Sequence, residues 1–112
     1  MPETSILPAL MDVIAERKAR PPAERSYVVS LLDGGTAKIN AKITEEAGEV
    51  VEAADEPGPA GRDHLVKEVA DLVFHTLVLL GLKEIPWSEV EAELARRFGV
   101  SGIEEKESRV RA

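Results

Sequence analysis

The chain has 112 residues, a net charge of −7 and no cysteine. This length corresponds to one domain with a small core, which association with a second copy would help to cover. The lack of cysteine excludes disulfides, zinc–thiolate sites and a thiol nucleophile, and the negative charge argues against a general nucleic-acid binder. The longest apolar run is too short to span a membrane, and the N-terminus does not resemble a signal peptide. We therefore expect a cytoplasmic protein.

Apolar residues recur at helical spacing between Pro and Gly residues, and no stretch sustains an alternation of period two, so the sequence predicts an all-α protein. The whole chain, 1–112, is expected to form a single domain. The first predicted elements are an N-terminal helix and linker over 1–25 and a short helix over 27–32, which Ser26 caps and Gly34 ends. A long helix capped by Thr36 and ending near Asp55 follows, and then a helix capped by Asp63 and ending at Gly81. The last elements are a helix with Pro86 in its first turn, ending at Gly99, and a tail over 100–112.

The long second helix carries an acidic residue on its apolar side. At about 100° per residue, the apolar side chains after Ile39 fall on one side of the helix, and Glu46 falls about 20° from Ile39. Glu49 flanks this stripe, whereas Glu45 and Glu52 lie towards water. A solvated acidic face is the usual interpretation of such a pattern, and the position of Glu46 weakens it.

The next helix is apolar nearly all round over 72–80, which is typical of a central, buried helix. It nevertheless carries one polar stripe, formed by His64, Glu68, Asp71 and His75. A hydrogen-bonded core histidine and a salt-bridged glutamate are the ordinary alternatives for such residues.

The segment PGPAG, residues 57–61, predicts an antiparallel hairpin between these two helices. Both helices would then bring carboxylates to the same inner face, where they would repel one another and take up protons. A divalent cation relieves this repulsion, and Mg²⁺ prefers hard oxygen ligands and retains positions for phosphates. The pattern therefore predicts a magnesium site that binds phosphates, with Mn²⁺ as the alternative ion.

These residues resemble a known signature. The EExxE motif (Glu45, Glu46, Glu49) followed by ExxD (Glu68, Asp71) is similar to the metal signature of the all-α MazG-like nucleoside triphosphate pyrophosphohydrolases. Within that superfamily, the chain resembles the phosphoribosyl-ATP pyrophosphohydrolases of histidine biosynthesis. The matching segments are VIAERK, SYVVSLLDGGTAKINAKITEEAGEVVEAA, EVADLVFHTLVLL, VEAELARRFG and SGIEEKESR. Gly48 and Phe74 depart from the family, which more often has Thr and Tyr there.

The resemblance implies a bundle of four to five helices around a central antiparallel hairpin, completed by dimerisation. It also implies magnesium-dependent hydrolysis of phosphoribosyl-ATP to phosphoribosyl-AMP and pyrophosphate. The implied residues are the metal ligands Glu46, Glu49, Glu68 and Asp71, the catalytic residues Glu45 and Glu46, and the substrate-binding residues Lys38, Lys42, His75, Lys106 and Arg109. For Lys38 and Lys42, salt bridges to the nearby glutamates are the alternative.

Two other functions stay open at this point. The first is a house-cleaning pyrophosphatase of the same superfamily that acts on dNTPs. The second is a non-enzymatic helical dimerisation module with solvated acidic faces. A calcium or iron carboxylate protein is disfavoured, because the sequence has neither an EF-hand loop nor the Glu-x-x-His pairs of a di-iron bundle.

Overall fold

Four α-helices account for most of the chain. A computed structural model describes residues 5–98, and within that range it contains no strand, so the prediction of an all-α protein is confirmed. The helices are α1 Ile6–Ala19, α2 Tyr27–Ala54, α3 Gly58–Leu82 and α4 Trp87–Phe98. The predicted helix end at Gly99 and the tail over 100–112 lie outside the described residues.

The break predicted at Gly34 is found at Gly35, where the two helical segments of α2 meet across a kink. Gly35 has φ 73° and ψ −168°, a conformation that L side chains rarely adopt, and α2 continues through Thr36 beyond it. Ser26 caps the start of α2 as predicted, because its hydroxyl accepts a hydrogen bond from the Val29 N–H at 3.3 Å. The predicted division into a short helix and a long helix is therefore confirmed, with the non-helical residue at Gly35.

The prediction that Asp63 caps the third helix is wrong. The helix begins at Gly58, five residues earlier, so Asp63 lies inside it. The segment PGPAG supplies the first turn of α3 rather than a loop, since Pro59 lies where a helix needs no backbone donor. Gly61 is buried in this turn, and a Cβ atom there would collide with the backbone of Glu56. This close approach makes the connection from α2 to α3 short.

The helices α2 and α3 form the predicted antiparallel hairpin, and α1 packs across both. The fully buried side chains come from all three: Ile14 in α1, Leu31 and Ile39 in α2, and Leu77 and Val78 in α3. The helix α4 contacts α1 and contributes no buried residue. The hairpin is therefore the centre of the fold, and its two helices determine which acidic residues meet.

The third helix is less enclosed than its apolar sequence suggests. His75, Leu77 and Val78 are buried, but the other residues over 72–80 are only half-buried. Nearer the start of the helix, Val66 and Val69 are 58% and 41% exposed. Residues 5–98 therefore leave part of the apolar surface of α3 exposed.

Candidate metal centre

Three carboxylates from the two hairpin helices converge. Glu46 on α2 and Glu68 and Asp71 on α3 each offer a ligand atom, and these atoms all lie within 4.8 Å of one another. Glu46 reaches this position because it shares a face of α2 with Ile39 and Ala53, which are seven residues away on either side and are also buried. The position inferred for Glu46 from helical spacing is therefore confirmed.

The cluster contains buried oxygen atoms that lack a hydrogen-bond donor. Glu46 is only 8% exposed. Its Oε2 atom, and the Oε1 atom of Glu68, are buried with no hydrogen-bond partner among residues 5–98. A buried carboxylate oxygen without a partner is costly, and hard oxygen donors at this spacing fit a divalent cation such as Mg²⁺. The donor set therefore suits the metal that the sequence predicted.

The protonation of the cluster reflects the crowding of negative charge. Burial, contact with Glu68 and the charges of Glu49 and Asp71 together raise the pKa of Glu46 from 4.5 to about 7. Contact with Glu68 likewise raises the pKa of Glu49, which places Glu49 beside the cluster although it is outside the set of three. The pKa of Glu68 is lowered, first by its close contact with Glu46. Protonation of Glu46 reduces the repulsion within the cluster.

The chain is similar to known proteins over most of its length. A family model of phosphoribosyl-ATP pyrophosphohydrolases matches residues 7–98. The chain belongs to this family. A phosphoribosyl-ATP pyrophosphatase from Rhodopirellula baltica is 50% identical over 111 residues, which cover 97% of the chain and 91% of the relative. Proteins of the same name from Geotalea daltonii and Geobacter metallireducens are each 54% identical, over 107 and 105 residues. These matches cover 95% and 93% of the chain, and 96% and 92% of the relatives.

Membership of a pyrophosphohydrolase family excludes the non-enzymatic dimerisation module. The charged side chains around the cluster are therefore candidate parts of an active site. Glu45 lies outside the cluster, as expected from its helical position, with a side chain that is 51% exposed. Lys42 forms the salt bridge that the sequence left as an alternative, with its Nζ atom 3.4 Å from Glu45 Oε1. Lys38 instead donates to the backbone carbonyl of Ser30 at 3.2 Å, across the kink in α2. Both ammonium groups lie on the helix that carries Glu46.

His75 is a hydrogen-bonded core histidine in this structure, which the sequence left as the alternative to substrate binding. Its Nδ1 atom lies 2.9 Å from the backbone carbonyl of Asp71, and its Nε2 atom lies 2.7 Å from the Tyr27 hydroxyl. Because a carbonyl can only accept, Nδ1 donates to it, and the Tyr27 hydroxyl then donates to Nε2. His75 thus fixes the turn of α3 that carries Asp71. The contact with Tyr27 was not predicted, although Tyr27 lies in the SY pair that marks the family resemblance.

His64 connects the cluster to the turn of the hairpin. Its Nε2 atom lies 3.0 Å from Glu68 Oε2, and its Nδ1 atom lies 3.0 Å from both carboxylate oxygens of Glu56. The hydrogen bond to Glu56, followed by weaker effects of Glu68, raises the pKa of His64. The stripe from His64 to Glu68 was predicted, but the contribution of Glu56 was not. Glu56 lies against this face of the helix because α3 begins at Gly58 and not after Asp63.

The remaining predicted substrate residues, Lys106 and Arg109, lie outside the described residues. Within the part of the chain that the structure describes, no helix is long and apolar enough to cross a membrane.

Proposed function

We propose that this protein hydrolyses phosphoribosyl-ATP between its α and β phosphates, as a step of histidine biosynthesis in the cytoplasm. A water oxygen attacks the α phosphorus, the bond to the bridging oxygen breaks, and pyrophosphate leaves with phosphoribosyl-AMP as the other product. Family membership supports this substrate over other nucleotides. The observation that carries the chemistry is the convergence of Glu46, Glu68 and Asp71, with two buried oxygen atoms that have no hydrogen-bond partner among the described residues.

We infer that Glu46, Glu68 and Asp71 hold Mg²⁺ or Mn²⁺, with Glu49 as the fourth ligand. When bound, the cation polarises the phosphates and neutralises charge on the leaving pyrophosphate. Burial orients Glu46, and the hydrogen bond from His75 fixes the turn of Asp71, so the chain presents these oxygens without large rearrangement. The raised pKa of Glu46 means that a proton must leave this group before it can serve as an anionic ligand at neutral pH.

Glu45 is the proposed base. Its exposed carboxylate is one residue from the cluster and can accept a proton from the attacking water. Lys42 now pairs with Glu45, and an incoming phosphate offers the same ammonium group a stronger partner. Together with Lys38 it supplies positive charge next to an acidic site, which a substrate with several phosphates needs. Lys106 and Arg109 are proposed to add further phosphate contacts.

The protein is further proposed to be a homodimer. The exposed and half-buried apolar side chains of α3, together with Val51 at 67% exposed on α2, form a surface that a symmetric partner would cover. Pairing two copies is the commonest way to bury such a surface in a small domain. Light scattering tests this proposal, and a mass near 12.1 kDa at micromolar concentration would contradict it.

The decisive experiment measures pyrophosphate release from phosphoribosyl-ATP, dATP and dUTP by the full chain with Mg²⁺. We expect phosphoribosyl-ATP to have the highest kcat/KM. Asp71→Asn should abolish turnover. Glu52→Gln is the control, because it removes an exposed carboxylate from the same helical hairpin, and it should retain turnover. Faster turnover of dATP or dUTP would instead assign the protein to the house-cleaning pyrophosphatases.

A further inference from the structure

A chain of three side chains runs from the hairpin turn to the acidic cluster. Glu56 lies in the connection between α2 and α3, His64 lies in the second turn of α3, and Glu68 lies one turn further. Both carboxylate oxygens of Glu56 are 3.0 Å from His64 Nδ1, and Glu68 Oε2 is 3.0 Å from His64 Nε2. The histidine therefore contacts a carboxylate through each ring nitrogen.

The two oxygen atoms of Glu68 have different surroundings. Oε2 accepts the hydrogen bond from His64, whereas Oε1 is buried and has no hydrogen-bond partner among the described residues. An ionised carboxylate can only accept hydrogen bonds, so the Nε2–H of His64 donates to Glu68. The hydrogen bond from His64 fixes the Glu68 carboxylate, one oxygen of which lies within 4.8 Å of ligand atoms of Glu46 and Asp71.

The turn geometry keeps Glu56 in place. Gly61 packs so closely against the backbone of Glu56 that a Cβ atom would collide with it. Glu56 is thus fixed by the backbone at one end and by His64 at the other. By contrast, Glu46 is buried, at 8% exposed.

We propose that His64, anchored by Glu56, is a positioning residue that orients the Glu68 carboxylate towards the metal. Neither residue contacts the substrate in this assignment, and each acts through Glu68. The inference rests on the proposed function, because it requires that the cluster hold a divalent cation. Glu68 has three rotatable side-chain bonds, and the hydrogen bond from His64 restricts their rotation before the metal binds. Metal binding then costs less conformational entropy.

The direction in which removal of His64 changes the affinity for the metal distinguishes a positioning role from a simple electrostatic one. Removing an outer-shell partner of a metal ligand typically weakens metal binding by about 10- to 100-fold. His64 is 40% exposed at its side chain, so the lower end, about tenfold, is expected. If His64 acted only as a nearby positive charge, its removal would instead tighten cation binding, because it would take away a repulsion.

The test is a Mn²⁺ titration of the full chain, with the free ion followed by electron paramagnetic resonance. The variants are His64→Ala, His64→Gln, Glu56→Ala and the double variant Glu56→Ala/His64→Ala. Lys67→Ala is the matched control, since Lys67 is an exposed cation on the same helix. We expect about tenfold weaker binding for His64→Ala and no more than about twofold change for the control. His64→Gln should recover part of the loss, because an amide still donates to Glu68.

Two further measurements distinguish positioning from general damage to the fold. If Glu56 acts only through His64, the double variant binds Mn²⁺ as weakly as His64→Ala, and the two losses do not add. In turnover assays, the Mg²⁺ concentration for half-maximal rate should rise for His64→Ala, while kcat at saturating metal stays within about twofold. The Glu56→Ala variant tests the same link if His64→Ala does not fold.

The outcomes are distinct. Unchanged or tighter Mn²⁺ binding by folded His64→Ala and Glu56→Ala, with normal binding by the unsubstituted chain, overturns the positioning role and leaves the proposed function intact. Failure of the unsubstituted chain to bind Mn²⁺ overturns both. Additive losses in the double variant would also overturn the link between Glu56 and His64.

Discussion

Replacing Glu46 by glutamine should stabilise the metal-free protein while abolishing its activity. Glu46 is buried beside three other acidic residues, and its pKa is raised from 4.5 to about 7, first by burial. Glutamine has nearly the same shape and no negative charge. The substitution therefore removes the cost of ionising this group inside the folded protein, and it removes a proposed metal ligand as well.

The size of the expected gain in stability, and its dependence on pH, follow from the raised pKa of Glu46. Between pH 4.5 and about 7 the folded chain holds a proton on Glu46 that the unfolded chain has lost. The contribution of Glu46 to stability is therefore fully present below pH 4.5 and is lost as the pH rises through about 7. At about 1.36 kcal/mol per pH unit, the penalty above pH 7 is on the order of 3 kcal/mol. The lowered pKa of Glu68 acts in the opposite direction, but only below the ordinary value of 4.5.

The assay is thermal unfolding in excess chelator, followed by circular dichroism at pH 4.5, 6 and 8 and at one protein concentration. At pH 8, Glu46→Gln should melt roughly 10 °C above the unsubstituted protein, and the difference should vanish near pH 4.5. Glu52→Gln makes the same change of charge at an exposed position of the same helix. It should alter stability by less than about 0.5 kcal/mol at every pH.

Three results would refute this reasoning. If Glu46→Gln were less stable than the unsubstituted protein at pH 8 without metal, the carboxylate would be stabilising the fold rather than straining it. If the difference between them did not depend on pH, ionisation of Glu46 would not be its cause. A gain equal to that of Glu52→Gln would indicate only the general effect of reducing net negative charge.

Other perturbations test separate parts of the structure. Mg²⁺ or Mn²⁺ at about 100 times its dissociation constant should add about 2.7 kcal/mol to the free energy of unfolding, and full turnover in excess chelator would contradict metal dependence. Gly61→Ala should cost about 1–3 kcal/mol in denaturant unfolding, because its methyl group collides with the backbone of the hairpin turn. Gly48→Ala, at an open helical position, should instead gain about 1 kcal/mol, and equal effects of the two would refute the collision. Truncation after Gly99 removes Lys106 and Arg109 and should raise KM for phosphoribosyl-ATP, so an unchanged KM would show that the tail makes no substrate contact.

Helical periodicity was sufficient to locate the acidic cluster. With Ile39 on the buried face, the 3.6-residue repeat predicts Glu46 on the core side and Glu52 in water, and both positions are confirmed. The hairpin followed from the glycines and prolines between the helices. These inferences succeeded because they depend on local geometry, which the sequence specifies within a few residues.

Contacts that cross between elements were less accessible. The ion pair of Glu56 with His64 depends on where α3 begins, and Asp63 is a conventional capping residue that suggested a later start. A first turn formed by Gly and Pro has no side-chain cap and leaves little trace in the sequence. The bond from Tyr27 to His75 joins residues 48 positions apart, and no local pattern indicates such a pairing.

Two features of the structure are unfavourable for related reasons. The acidic cluster brings three carboxylates together, and among the described residues apolar side chains of α3 are exposed. Metal and a second copy of the chain would each bind the folded state alone, so each would raise its stability by mass action. Melting temperatures measured at low protein concentration in chelator would then reflect both deficits together. Titrating metal at high and at low protein concentration separates them, because only the dimer contribution depends on the concentration of the chain.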